Sequence, residues 1–280
     1  PMIEYLITLL DTKYTLATLS RGYGRKSKGF LIAEPNVTSK DIGDEPLQIF
    51  NKFKNITVAV DADRQQGLKL LKEYKPSLEV ILLDDAYQHR KVTAGFNILL
   101  TAYHQLYCDG IVLPSGDLRE PKSGSKRAQV IVVTKCPDHL NSTQKDKIKK
   151  RLKPASNQTV FFSSIQYSQK LVSSISSRPL TDLKGIHFTL VTGIANPTPL
   201  VYYLAEMGLD FEHLKFKDHH EFSTSELDLI HSKSLVVTTE KDFSRLNPDT
   251  NDQIYYLPIQ LKIDKASEFE NLVETYVEEF

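Results

Sequence analysis

Two adjacent carboxylates, Asp84 and Asp85, follow the apolar run Val80-Ile81-Leu82-Leu83 in the stretch "EVILLDDAYQHR" (79–90), and an amide, an imidazole and a guanidinium come next: Gln88, His89 and Arg90. A four-residue apolar run bounded by polar residues predicts a strand buried on both faces. In an open parallel sheet, ligands bind just beyond the carboxyl ends of the strands. Paired acids at such an end suit a hard divalent cation that bridges phosphate oxygens. Equally, acids do no more than end many strands, so the rest of the chain has to decide.

Other motifs offer matching chemistry. In "LSRGYGRKSKG", Gly22 and Gly24 let backbone approach a ligand closely, and Arg21 and Arg25 supply cations suited to phosphate. The stretch is not a Walker A loop, which needs GxxxxGK[ST]. "DIGDEPLQIF" sets Asp41, Asp44 and Glu45 before a helical start, where acids cap free N–H groups or act as a general base. "VLPSGDLREPKSG" (112–124) holds Arg119 and Glu120 in a Pro- and Gly-dense loop of the kind that positions substrate. "FKDHHEF" (216–222) brings Asp218 beside His219 and His220, and a carboxylate can orient an imidazole for proton transfer. Zinc is the weaker reading there, for want of a third ligand at helical spacing. "VVTTEKDFSRL" (236–246) again ends an apolar run in charge, at Glu240, Lys241 and Asp242, and "TGIANP" (192–197) forms a turn and ligand-loop candidate.

The elements that must position these residues read as alternating strands and helices. Strand-like runs occur at 15–20, 56–60, 79–83, 96–101, 129–134, 187–192 and 234–239, with amphipathic helical stretches such as "RQQGLKLLKEYK" and "STQKDKIKKRLK" between them. That order predicts βαβ units and a mostly parallel sheet. "MIEYLITLL" reads as a buried helix packed on the sheet. The Ser-rich stretch 154–180 has two β-like runs and little helical signal, so it predicts a two-stranded ribbon between two α/β lobes, with polar strand ends facing a cleft. "STQKDKIKKRLK" is basic near its end, a solvated face by default and a membrane contact as the alternative.

Bulk properties narrow the class. The chain has 280 residues with 35 Lys plus Arg and 35 Asp plus Glu, so net charge gives no argument for nucleic acid. Two cysteines, Cys108 and Cys136, in no ligand spacing, suit a reducing cytosol and no structural zinc. No apolar run approaches the roughly 20 residues of a spanning helix, and no signal peptide is visible.

Taken in order, SRGYGR (20–25), GDEP (43–46), DDAYQHR (84–90), LPSGDLREP (113–121), TGIANP (192–197), DHH (218–220) and TEKD (239–242) resemble the tetraacyldisaccharide 4′-kinase family, over about residues 1–246. The resemblance implies a P-loop NTPase-like, mostly parallel α/β lobe with flanking helices, joined by a β-ribbon to a smaller α/β lobe. The expected boundaries are 1–155 for the nucleotide and metal lobe, 156–180 for the ribbon and 181–280 for the second lobe. It implies ATP-dependent phosphorylation of the 4′-hydroxyl of an acylated glucosamine disaccharide 1-phosphate in lipid A biosynthesis, with Mg²⁺, by a peripheral protein at the cytoplasmic face of the bacterial inner membrane. Asp84 and Asp85 would hold Mg²⁺, Asp44 would be the general base with His219 assisting from the second lobe, and Arg21, Tyr23, Gln88, His89 and Glu120 would line the cleft for headgroup or nucleotide.

This sequence departs from the family at three places. Ala86 stands where the family has Gly, and Asp117 stands where it has a small or uncharged residue. The family's GGTGKTP-type loop would end at Pro1, so the expectation is that this chain alone binds ATP poorly and turns over little; the family's amino-terminal membrane-associated helix is not in the sequence either. Two rival readings follow: a lobe pair that binds the acylated disaccharide without transfer, and a Mg²⁺-dependent phosphohydrolase using the Asp84-Asp85 pair, whose aspartyl-phosphate type would want a DxD motif, found only at Asp61-Ala62-Asp63.

Overall fold

The computed structural model describes residues 1–116, 118–246 and 252–279. The chain divides into two units, 1–166 with 261–280, and 167–260.

The first unit opens with helix α1 (Met2–Leu10), which buries Met2, Leu6, Ile7 and Leu10, the spacing of one helical face. Then come β1 (Leu16–Ser20), β2 (Leu31–Ile32), α2 (Ser39–Ile42), α3 (Asp44–Lys52), β3 (Thr57–Val60), α4 (Arg64–Tyr74) and β4 (Val80–Leu83). These strands form a sheet in the order β2-β3-β1-β4, in which β3, β1 and β4 are parallel and β2 runs against β3. Strand β1 is central and buried at every position. Strand β4 is an edge strand: Val80 and Leu82 pack on one core cluster and Ile81 and Leu83 on another, as its apolar run predicts, but its four residues stay half-buried. A sheet edge leaves one flank without a neighbour, which the residue pattern alone does not reveal.

A second sheet of this unit is built from β5 (Ile98–Ala102), β6 (Val130–Thr134) and β7 (Thr159–Tyr167), all parallel, with α5 (Ser142–Leu152) between β6 and β7. Helix α5 starts on a capping box in which Asn141 accepts from the Gln144 N–H and the Gln144 side chain returns to the Asn141 N–H.

The second unit carries β8 (Lys170–Val172), β9 (Ser177–Pro179), β10 (Phe188–Thr192), α6 (Thr198–Glu206), β11 (Phe211–Lys215), α7 (Thr224–His231), β12 (Val236–Thr239), α8 (Glu240–Phe243) and β13 (Ile254–Leu257). Its sheet has the order β11-β10-β12-β13-β8-β9, parallel from β11 to β13 and antiparallel through β8 and β9. The chain then returns to the first unit through β14 (Ile259–Ile263), which lies beside β7, and α9 (Ala266–Glu278).

These divisions differ from those drawn from composition. The stretch expected to be a single ribbon is split: β7 belongs to a sheet of the first unit, while the β8–β9 hairpin extends the sheet of the second. The carboxyl-terminal helix does not join the second lobe. Its Phe269 and Val273 are buried in the core formed by Leu6, Leu10, Val58, Val132 and Phe161. Phe269 meets Tyr5 and Phe161 edge-on, with ring centroids 5.8 and 5.3 Å apart. Strand β11 escapes sequence reading because Glu212, His213 and Lys215 interrupt its apolar pattern, which an edge strand tolerates.

Candidate functional site

The parallel register of β1, β3 and β4 brings their carboxyl ends together. The Asp61 N–H donates to Ser20 O at 3.0 Å and the Asp84 N–H to Leu19 O at 3.1 Å, so each strand end is stapled to the central strand. Arg21 follows β1, Asp61 follows β3, and Asp84 and Asp85 follow β4. Asp85 adopts φ +47, a left-handed conformation uncommon for a side-chain-bearing residue outside ligand sites and turns.

Charge at these ends is under-compensated. Burial raises the Asp84 carboxyl above its usual value, and the negative Glu45 and Asp85 add to the effect. Behind it lies Arg64, almost wholly buried at the start of α4. Burial, and then the like charge of Arg21, pull its guanidinium below the ordinary value, while Asp85, Asp61 and Asp84 hold it up. Arg64 donates from Nη1 to Asp61 O at 2.5 Å and to Ala62 O at 3.3 Å. Its Nε and the Asp61 Oδ2 are buried with no hydrogen-bond partner among the described residues. Sequence reading missed Arg64, because an Arg opening an amphipathic helix looks like a solvated residue.

Asp63 is taken up locally, accepting from the Gln65 and Gln66 N–H groups as the cap of α4. Asp61 Oδ1 accepts from the Asp63 N–H at 3.0 Å. The Asp61-x-Asp63 pair is therefore a capped turn: Asp63 serves the helix, and Asp61, whose carboxylate would be the nucleophile, is buried. His89 comes to the same helix end: its Nε2 accepts from the Arg64 N–H at 3.3 Å, which requires a lone pair on that nitrogen.

The SRGYGR and GDEP motifs meet through two glycines. Gly43, at φ +92, caps α3 immediately before Asp44. A Cβ on Gly43 would lie 2.8 Å from Tyr23 O, and one on Gly22 would lie 2.6 Å from Ile42 O. Only residues without side chains let these backbones approach so closely. Half-buried Asp44 at the first turn of α3 is thereby set beside exposed Tyr23.

The third cluster of the first unit links DDAYQHR to the LREP loop. Gln88 Nε2 donates to Glu120 Oε1 at 3.2 Å. Arg127 grips the same carboxylate with both arms, at 2.7 and 2.9 Å, donates to Tyr87 O at 3.1 Å and lies over the Tyr87 ring. Glu120 is thus held by Arg127, which the sequence reading did not single out, seven positions away along the chain. Asp117 of the same motif lies outside the described residues.

In the second unit, DHH divides into two unlike histidines. His220 stacks on Phe216 at 4.9 Å and contacts Glu226 Oε2 through Nε2 at 3.1 Å, at the capping box of α7. His219, at φ +55, lies in a polar cluster: its N–H donates to Gly193 O at 3.1 Å, Arg245 Nη2 is 3.2 Å from its Nδ1, and Lys241 Nζ is 3.3 Å from its Nε2. Asp242 is fully buried beneath them and accepts from the Gly193 N–H, Thr239 Oγ1 and Arg245 Nη1. It fastens TGIANP to TEKD.

A family model for tetraacyldisaccharide-1-P 4′-kinases matches residues 1–278. The chain belongs to the tetraacyldisaccharide 4′-kinase family. It is 44% identical over 284 residues to the tetraacyldisaccharide 4′-kinase of Flavobacterium johnsoniae, covering 100% of this chain and 83% of that protein. It is 40% identical over 306 residues to that of Bacteroides thetaiotaomicron, covering 100% of this chain and 80% of the relative. Among solved structures it resembles the "apo" form of LpxK from Aquifex aeolicus in complex with ATP, with a TM-score of 0.76 and 26% identity over 99% of this chain and 83% of that one. The fold is that of a P-loop kinase.

Of the residues that the 4′-kinase resemblance singles out, Arg21, Tyr23, Asp44, Asp84, Asp85 and His89 gather around the ends of β1 and β4 and the starts of α3 and α4. Gln88 and Glu120 form the adjoining network, and His219 stands in the second unit. Among the described residues no three His, Cys, Asp or Glu side chains converge as a metal cage. Mg²⁺ sites in general need no such cage; one or two carboxylates together with water and substrate phosphates suffice. Asp84, burdened by burial and two acidic neighbours, is an oxygen donor that a cation would relieve.

Proposed function

We propose that this chain transfers the γ-phosphoryl group of ATP to the 4′-hydroxyl of a tetraacylated glucosamine disaccharide 1-phosphate, a step of lipid A biosynthesis. The observation that carries the reading is the convergence of Arg21, Arg64, Asp84 and Asp85 at the carboxyl ends of neighbouring parallel strands, in a member of this kinase family.

Phosphoryl transfer asks a protein mainly for positioning and charge stabilisation. Asp84 and Asp85 are assigned to Mg²⁺, which would neutralise charge on the transferring phosphoryl group. Arg21 and Arg64 place fixed positive charge beside the same strand ends. Asp44 is assigned the proton of the sugar hydroxyl: as the new O–P bond forms and the bond to the ADP leaving group breaks, that proton passes to the Asp44 carboxylate. His219 is assigned as the assisting imidazole. Tyr23, Gln88, His89 and Glu120 are assigned to headgroup or nucleotide contacts.

An acceptor that carries acyl chains places the reaction at a membrane surface, here the cytoplasmic face of the inner membrane. No helix among the described residues is long and apolar enough to cross a membrane.

The test is transfer of labelled γ-phosphate from Mg-ATP to the disaccharide 1-phosphate, with the chain as it stands and with a GGTGKT segment joined ahead of Pro1. Transfer that falls about 10²–10⁴-fold in Asp44→Ala supports the reading, as does a raised Mg²⁺ requirement in Asp84→Asn. Folded, ATP-bound protein without transfer in either form overturns it.

A further inference from the structure

The basic helix α5 and the exposed apolar segment at the start of the LREP loop are linked by hydrogen bonds and an ion pair, and the kinase reading gives no role to Ile111, Val112, Leu113 or α5. We propose that the Ile111–Leu113 segment and the carboxyl-terminal end of α5 form the surface by which this chain docks on an anionic phospholipid bilayer. The proposal rests on the lipid-acceptor reading above and gives it a place on the molecule.

Ile111, Val112 and Leu113 are 61%, 38% and 58% exposed, three consecutive large apolar side chains turned to solvent. Contiguous exposed apolar surface of this kind marks an interaction site, whereas single exposed apolar residues are commonplace. The loop leading into them is fixed to the end of α5. The Tyr107 hydroxyl donates to Leu152 O at 3.3 Å, and Arg151 pairs with Asp109 at 2.6 Å. Lys122 donates to Cys108 O at 2.5 Å and adds a further exposed cation beside the same turn.

Helix α5 divides cleanly into two faces. Ile148 and Leu152 are buried, while Lys147, Lys150 and Arg151, at the i, i+3, i+4 spacing of one face, are exposed, and exposed Lys153 follows at the cap. The chain as a whole has no net charge, so this concentration of cations is local.

An apolar tip beside a basic face matches the layering of a membrane interface. Apolar side chains enter the acyl boundary while Lys and Arg remain at headgroup level, attracted to anionic lipid. A protein partner would need a surface of the same layering, whereas a bilayer that carries the acylated acceptor supplies it without further assumption.

Sedimentation with vesicles tests the surface without requiring turnover, so a failure of the kinase reading stays separate from a failure of this one. The vesicles are phosphatidylcholine alone, or phosphatidylcholine with about a third phosphatidylglycerol, enough for a strongly negative surface potential. The variants are Ile111→Ser/Leu113→Ser and Lys147→Glu/Lys150→Glu, all at exposed positions, each checked by thermal melting for an intact fold. The wild-type chain is expected to bind the anionic vesicles. The apolar variant should bind on the order of 10-fold more weakly, and the charge variant at least about 30-fold more weakly, at about tenfold for each 1.4 kcal/mol. High salt should erase most of the difference that the charge variant makes. Wild-type protein that fails to bind anionic vesicles, or variants that bind as wild type does, would overturn the proposal. So would a raised KM for micellar disaccharide with vesicle binding unchanged, because that assigns the loop to the acceptor's own acyl chains.

Discussion

Arg245 joins a buried carboxylate to an imidazole: its Nη1 is 3.0 Å from Asp242 Oδ1 and its Nη2 is 3.2 Å from His219 Nδ1. Lys241 Nζ lies 3.3 Å from the other ring nitrogen, Nε2, so donor-only cations flank both nitrogens of the His219 ring. Asp242 is itself held by the Gly193 N–H at 2.8 Å and Thr239 Oγ1 at 2.7 Å. The position of an exposed imidazole is therefore tied, through Arg245, to a carboxylate in the core of the second unit.

Arg245→Lys keeps the charge and removes the fork. The expected result is a shifted Nδ1 resonance of His219 in ¹⁵N imidazole spectra, with kcat reduced about 10-fold or more. An imidazole spectrum and kcat unchanged by the substitution would show that Arg245 serves the fold alone.

Gly43→Ala tests whether the SRGYGR and GDEP motifs need their close approach. The new Cβ would meet Tyr23 O at 2.8 Å at a backbone φ of +92. The loss of stability should be about 1–3 kcal/mol by denaturant unfolding, with activity falling alongside because Tyr23 and Asp44 are displaced. A variant as stable and active as wild type would mean that the two backbones part without cost.

Phe269→Ala tests the return of the last helix to the first unit. Phe269 is fully buried against Tyr5 and Phe161, and its truncation should destabilise the chain by about 3–5 kcal/mol. A change below about 1 kcal/mol would contradict the packing of α9 into this core.

Glu226 gives a pH prediction. The Ser223 N–H, then His220 and the Ser223 hydroxyl, lower its carboxyl from 4.5 to about 2. A folded value below the unfolded one means that its stabilisation is complete above pH 4.5 and is lost as pH falls towards 2. Glu226→Gln should melt earlier than wild type at pH 7, and the gap should narrow by pH 3. A gap of constant size across that range would remove the ionised carboxylate from the capping of α7.

Much of the architecture was legible because it depends on local pattern. The apolar runs at β1, β3, β4, β6, β10 and β12, the amphipathic helices α4 and α5, and the motifs at the strand ends follow from side-chain periodicity and residue type, which the chain carries at every position. Strand β11 was not legible, since an edge position tolerates Glu212 and Lys215 where a buried strand would not. Nor was the half-buried state of β4, which follows from its place at the edge of its sheet.

The sequence by itself determined the family, the α/β class and the acids, cations and glycines from which the site is made. Tertiary structure alone decided which of them meet. It set Gly22 against Gly43, buried Arg64 behind Asp84, gave Glu120 to Arg127, separated His219 from His220, and returned α9 to a core that begins with Met2 and Leu6. The reason is physical: type and spacing fix what a residue can do and which face of its own element it occupies. Partners distant in sequence are chosen by the closing of the core, whose close packing admits only certain approaches.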